Sequence, residues 1–167
     1  MAAIDIPEFS LAYGSPIENE KIKQLSFALG RLPFSDSTGS LFGYRMDGFI
    51  LSAAYPLLTV RTVLGYTGFL PASAPIIASA ADSTYGNGDF APPRALAAFS
   101  IRTPKIAGHD AYIAFTAQED LREDTQLVPE YETVLDSQSG GPADTAYVSA
   151  GFAGSPIATL SYSGYGA

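Results

Sequence analysis

Sixteen glycines and twelve prolines interrupt this 167-residue chain, leaving rarely more than about a dozen residues between breakers, which suits short strands better than long helices. Proline removes a backbone donor and fixes φ, and glycine costs order inside any regular element. The segments between them read as strands. Leu25, Phe27 and Leu29 alternate with Ser26 and Ala28, a period-two strand ending at Gly30. Leu57 to Leu64 alternates branched apolar residues with Thr and Arg and is the clearest strand. Ala95 to Arg102 and Ala111 to Ala117 are shorter candidates.

The connections follow from composition. Pro33 to Ser40 reads as a loop, and Asp47-Gly48 between Leu41–Tyr44 and Phe49–Ala54 predicts a hairpin turn. Residues 71–94 form the longest irregular region, and Ser137 to Pro142 a turn. Thr116 to Asp124 is the one helical candidate, with Thr116 as N-cap and Glu119 three residues on. Only Leu121 in it is apolar, so a charged loop fits equally. Leu127 to Leu135, broken at Pro129, suits an exposed edge strand. The expectation is a mostly β chain: a single-domain antiparallel β-sandwich or barrel with extended N- and C-terminal arms. Residues 1–20 form the N-terminal arm, 21–144 the β domain with its long loop 71–94, and 145–167 a charge-free C-terminal strand or arm.

Charge narrows the function classes. Charged residues are 16% of the chain and the net charge is −8, against about 25% charged residues in ordinary soluble domains. No Lys/Arg cluster exists to neutralise phosphates, so direct nucleic-acid binding is disfavoured. Cysteine is absent, which excludes disulfides, thiolate metal sites and Cys nucleophiles. The first residues carry no basic segment followed by an apolar run, so no secretory signal is expected. Phe49 to Leu70 holds the single charge Arg61, but Pro56, Gly65 and Gly68 break it. Buried strands bent at Pro56 fit it better than a spanning helix, and no membrane span is expected.

Catalytic signals are thin. The only histidine, His109, is followed by Asp110, but neighbours on a strand point to opposite faces and make a poor catalytic pair. Glu119, Asp120, Glu123, Asp124, Glu130, Glu132 and Asp136 crowd into a hydrophilic run that reads as a solvated face. Asp82, Asn87 and Asp89 offer oxygen ligands in a loop, at a spacing that fits no EF-hand. No cofactor and no enzymatic activity are expected.

Ten tyrosines without a tryptophan, several beside Gly or Ser, favour contact surfaces. A small, charge-poor, Cys-free chain rich in Gly, Ala, Ser, Thr and Tyr resembles bacteriophage virion components in composition: capsid decoration, minor capsid or tail subunits. That resemblance implies a non-enzymatic structural protein of the virion, made in the cytoplasm, self-assembling as a homo-oligomer and docking other particle proteins. Tyr13, Ile17, Tyr147, Phe152, Ile157, Tyr162 and Tyr165 are the candidate interface. The alternative is a carbohydrate-binding β-sandwich using the loop residues Asp82, Tyr85, Asn87 and Asp89. A third reading, a hydrolase, would draw on Glu130 or Glu132.

Overall fold

The computed structural model describes residues 9–16, 21–39, 42–70, 90–104, 108–122, 144–157 and 160–166. They form strands β1 (Phe9–Pro16), β2 (Gln24–Ser35), β3 (Gly43–Ala54), β4 (Thr59–Tyr66), β5 (Arg94–Arg102), β6 (His109–Asp120), β7 (Thr145–Ile157) and β8 (Leu160–Gly166). All eight lie in one antiparallel sheet, in the order β1 to β8, so every strand pairs only with its neighbours in sequence. The described residues contain no helix, and the sheet is not closed: β1 and β8 are its edges. Phe9–Pro16, within the expected N-terminal arm, is a full ladder partner of β2, and the charge-free C-terminal segment supplies β7 and β8.

Three local expectations are corrected. Neither Gly30 nor Pro33 ends β2, which runs to Ser35. Asp47-Gly48 is not a turn but the middle of β3, because the residues on both sides of it are paired to β2. Asp47 lies opposite Arg31 and takes its guanidinium in two hydrogen bonds of 2.9 and 3.0 Å. The β3–β4 turn comes at residues 55–58, where the Tyr55 amide donates to the Leu58 carbonyl at 2.7 Å. The helical candidate is strand as far as Asp120, since Thr116, Gln118 and Asp120 all pair with β5 and turn inward. With Leu121 as its sole apolar residue, a helix there had nothing to bury, and the ladder offered every backbone group a partner.

The sheet curls so that one face encloses a core. Phe34, Phe42, Met46, Val63 and Leu96 are buried together, with Tyr44, Ile50, Ala98 and Tyr147 packed around them. Contacts reach between strands that are not neighbours: Tyr44 on β3 donates its hydroxyl to Gln118 on β6 at 2.8 Å. The Phe42 ring meets Tyr147 of β7 edge-on at 5.7 Å. Glycines make the bend. Gly30, Gly48 and Gly65 are mutual register partners across β2, β3 and β4, and Gly30 has φ near +134°. A Cβ at Gly48 would overlap the Leu64 carbonyl, and one at Gly65 would overlap the Met46 sulfur. Missing side chains at a sheet corner allow this close approach, and the fully buried Met46 fills the space over Gly65.

Gly48→Val should therefore destabilise the fold by about 1–3 kcal/mol or more, as overpacking does, read as a lowered denaturant midpoint. Gly39→Ala removes no such space, since nothing lies within contact of its Cβ position, although its positive φ of 68° carries its own cost of about 1 kcal/mol.

Candidate functional site

Alternation along the strands sorts the side chains into two faces of opposite character. On the outward face, one register row reads Leu11, Leu29, Phe49, Leu64, Ala97, Ala117, Ala146 from β1 to β7. The next reads Tyr13, Phe27, Leu51, Thr62, Phe99, Phe115, Val148, and a third Ser15, Leu25, Ala53, Val60, Ile101, Ile113, Ala150. None of these residues is charged. Many are well exposed, from Leu25 at 38% to Leu11 at 67%. The row at one end is different: Phe9, Arg31, Asp47, Tyr66, Ala95 and Glu119 bring charge back, with Arg31 and Asp47 paired.

The inward face holds the charges that the band lacks. Arg61, Arg94, Arg102, Asp110 and Asp120 all occupy inward positions, as do Ser52, Ser100, Thr116, Gln118 and Ser149. Arg94 and Asp120 are fully buried in one ion pair at 3.4 Å, and Arg122 joins the same carboxylate through its Nε at 2.8 Å. The Asp120 amide donates to Asp144 at 2.7 Å, tying the far side of the 121–144 connection to β6. Asp110 pairs with Arg102 at 2.7 Å. Burial pushes the Tyr44 hydroxyl well above its ordinary range, with Arg94 nearby acting weakly the other way; it stays a neutral donor to Gln118.

The connections are also asymmetric. At one end of the sheet the strands are joined by seven, four, six and two residues (17–23, 55–58, 103–108 and 158–159). At the other end they are joined by seven, 27 and 24 residues (36–42, 67–93 and 121–144). Exposed Leu57 sits in a short turn, and exposed Phe69 and Phe90 flank the band at the opposite end.

The residues singled out from sequence separate. Tyr13 and Phe152 lie on the outward face and are exposed, and Tyr147 is inward against Phe42. Tyr165, paired with Gly151, is inward in phase yet exposed at the β8 edge. Ile157 pairs with Leu160 and Tyr162 with Gly154 in the β7–β8 ladder. Ile17, Asp82, Tyr85, Asn87, Asp89, Glu130 and Glu132 lie outside the described residues. His109 and Asp110 do face opposite ways: Asp110 is buried and His109 exposed. Among the described residues no group of three His, Cys, Asp or Glu is placed to hold a metal. Comparison with family models, curated proteins and solved structures finds no match.

Sequence reasoning missed the outward residues Leu11, Phe27, Leu51, Phe99, Phe115 and Val148 as a set. Their signal was present as alternation with Ser, Ala and Thr, but only the register joins them into rows.

Two outcomes follow. Asp120→Asn should cost about 3–5 kcal/mol, because it strands buried guanidinium charge; chemical denaturation measures it. For Tyr44 the folded pKa lies above the unfolded value of about 10, so its contribution is intact below that pH and declines above it. Between about pH 9 and pH 11 the denaturation midpoint should fall more steeply in the native protein than in Tyr44→Phe.

Proposed function

We propose that this sheet is the wall of an outer-membrane-type β-barrel, its outward face against lipid hydrocarbon and β1 paired with β8 in the bilayer. The observation that carries the reading is the band of three uncharged, largely apolar rows running from β1 to β7, with Arg61, Arg94, Arg102, Asp110 and Asp120 on the opposite face. A water-soluble sheet has the reverse arrangement, and soluble monomers seldom expose apolar patches beyond about 300–600 Å². Next-neighbour antiparallel order, an even strand count among the described residues and short turns at one end with longer connections at the other are the attributes of such barrels.

Height agrees with the same reading. The outward run Ala111 to Ala117 spans about 20 Å along the strand at about 3.4 Å per residue. Tilt shortens that, and Leu57, Phe69 and Phe90 extend it towards the ~25 Å apolar band of known membrane barrels. No helix of the described residues is long and apolar enough to cross a membrane, but strands cross by alternation instead, with about 9–11 tilted residues each. The absence of such a helix bears only on helical spans.

An eight-stranded barrel encloses just enough room for side chains, and Phe34, Phe42, Met46 and Tyr147 occupy it here. The role is accordingly that of a membrane anchor and display platform, non-enzymatic, rather than a wide channel. The virion-subunit reading remains the second proposal, because open edges and an apolar face would equally be covered by further copies of the chain.

The test uses the full chain, refolded with dimyristoyl phosphatidylcholine vesicles and, separately, in buffer without detergent. The native protein should float with vesicles after urea washing and show β-type circular dichroism. Phe115→Arg, in the middle of the band, should lower folding stability in vesicles by about 2–4 kcal/mol. A monodisperse protein in plain buffer that ignores vesicles would overturn the membrane reading, and a large soluble homo-oligomer would favour the particle subunit.

A further inference from the structure

Four of the arginines in the sheet region are accounted for. Arg31 pairs with Asp47, Arg94 and Arg122 share Asp120, and Arg102 pairs with Asp110. Arg61 differs. It sits mid-strand on the inward face of β4, half-buried, between Ser52 of β3 and Ser100 of β5 in register. Among the described residues no carboxylate pairs with it, and it lines a narrow open cleft with Ser100 and Thr116 on one side and the end of β2, Phe34 to Ser37, on the other. Asp36, the acid on that rim, is committed to its own turn: its carboxylate accepts from the Thr38 amide and the Phe42 amide, both at 2.8 Å, and from the Thr38 hydroxyl.

We propose that this cleft is an anion site, in which Arg61 receives a carboxylate or phosphate group entering from its open side, with neighbouring hydroxyls as further donors. A half-buried guanidinium beside serine and threonine presents donors without acceptors of its own. The planar fork suits a two-oxygen head group. Burial alone lowers the Arg61 pKa, with no carboxylate acting to raise it; guanidinium nonetheless remains charged at physiological pH. Arg94, Arg102 and Arg122 each have a carboxylate partner, and Arg61 is the cation that an anion meets in this cleft. The site belongs to the inward face and does not depend on what covers the outward one.

Calorimetric titration of the full chain, folded in detergent micelles, with inorganic phosphate and with acetate tests it. Both probes should bind the native protein, phosphate alone pointing to a phosphate source and acetate alone to a carboxylate one. Arg61→Gln should weaken binding about ten- to hundred-fold, the worth of a charge-assisted hydrogen bond. Arg61→Lys should keep the charge but lose the fork, and fall between the two. Arg45→Gln, exposed at the start of β3, should bind like the native protein. Circular dichroism on each sample establishes folding, and Arg61→Lys decides the matter if Arg61→Gln does not fold. No binding of either probe by folded native protein, or equal binding by the folded Arg61 variants, overturns the proposal. Vesicle flotation is read separately, so loss of anion binding and failure of the membrane reading remain distinguishable.

Discussion

A slip of one residue in the β4–β5 ladder would carry Arg61 or Arg94 and Arg102 to the face now occupied by Val60, Leu64, Ala97 and Ile101. Period-two alternation makes register an all-or-none choice of face, and every ladder from β1 to β7 holds the same phase. What pins the register is two cross-strand ion pairs, one on each face. Arg94 finds Asp120 directly opposite it on β6, and Arg31 finds Asp47 directly opposite it on β3. Each pair is satisfied only in the observed alignment, and a buried charge without its partner costs several kcal/mol.

Curvature turns that register into an interior. A flat sheet would leave both faces open to the surroundings, whereas this one buries Met46, Val63, Leu96 and Thr116 on a single face. The Gly30–Gly48–Gly65 row permits the bend, and the Phe34, Phe42, Tyr44 and Tyr147 rings fill the hollow it makes. Polar groups share that hollow. Thr67 is one that is answered twice: its hydroxyl donates to the Pro92 carbonyl at 2.6 Å and accepts from the Arg94 amide at 3.0 Å. It thereby ties the end of β4 to the start of β5 across a long connection.

The β class was legible because breakers and alternation are local signals. Leu25, Phe27 and Leu29 could be read as a strand, and Ala111 to Ala117 likewise. Asp47-Gly48 misled because the same dipeptide serves a hairpin or a bend, and only the Arg31 partner, far off in sequence, distinguishes them. Thr116 to Asp120 misled for a related reason: its acids suited a helix start, yet its inward residues belong to a polar core that local hydrophobicity does not register. The outward band was hidden for a further reason. Each strand from β1 to β7 contributes only two or three apolar residues to it, interleaved mainly with Ser, Ala or Thr, and the whole becomes visible only when the strands are set side by side.

An apolar band that spans β1 to β7 of an open sheet poses a physical conflict. In hydrocarbon, unpaired N–H and C=O groups cost several kcal/mol each, so lipid around this face is compatible only with paired edges. Strand parity supplies the geometry: β1 and β8 run in opposite senses in an eight-stranded meander, so joining them continues the antiparallel pattern without a crossover. The small inward residues of β1, Ser10, Ala12 and Gly14, leave room for that seam to curl over the interior. In water the conflict falls on the other side, because edges can be hydrated but the band cannot. The same sequence thus asks for one remedy at the edges in a bilayer and another on the face in solution, and closure of β1 on β8 answers the first without further chains.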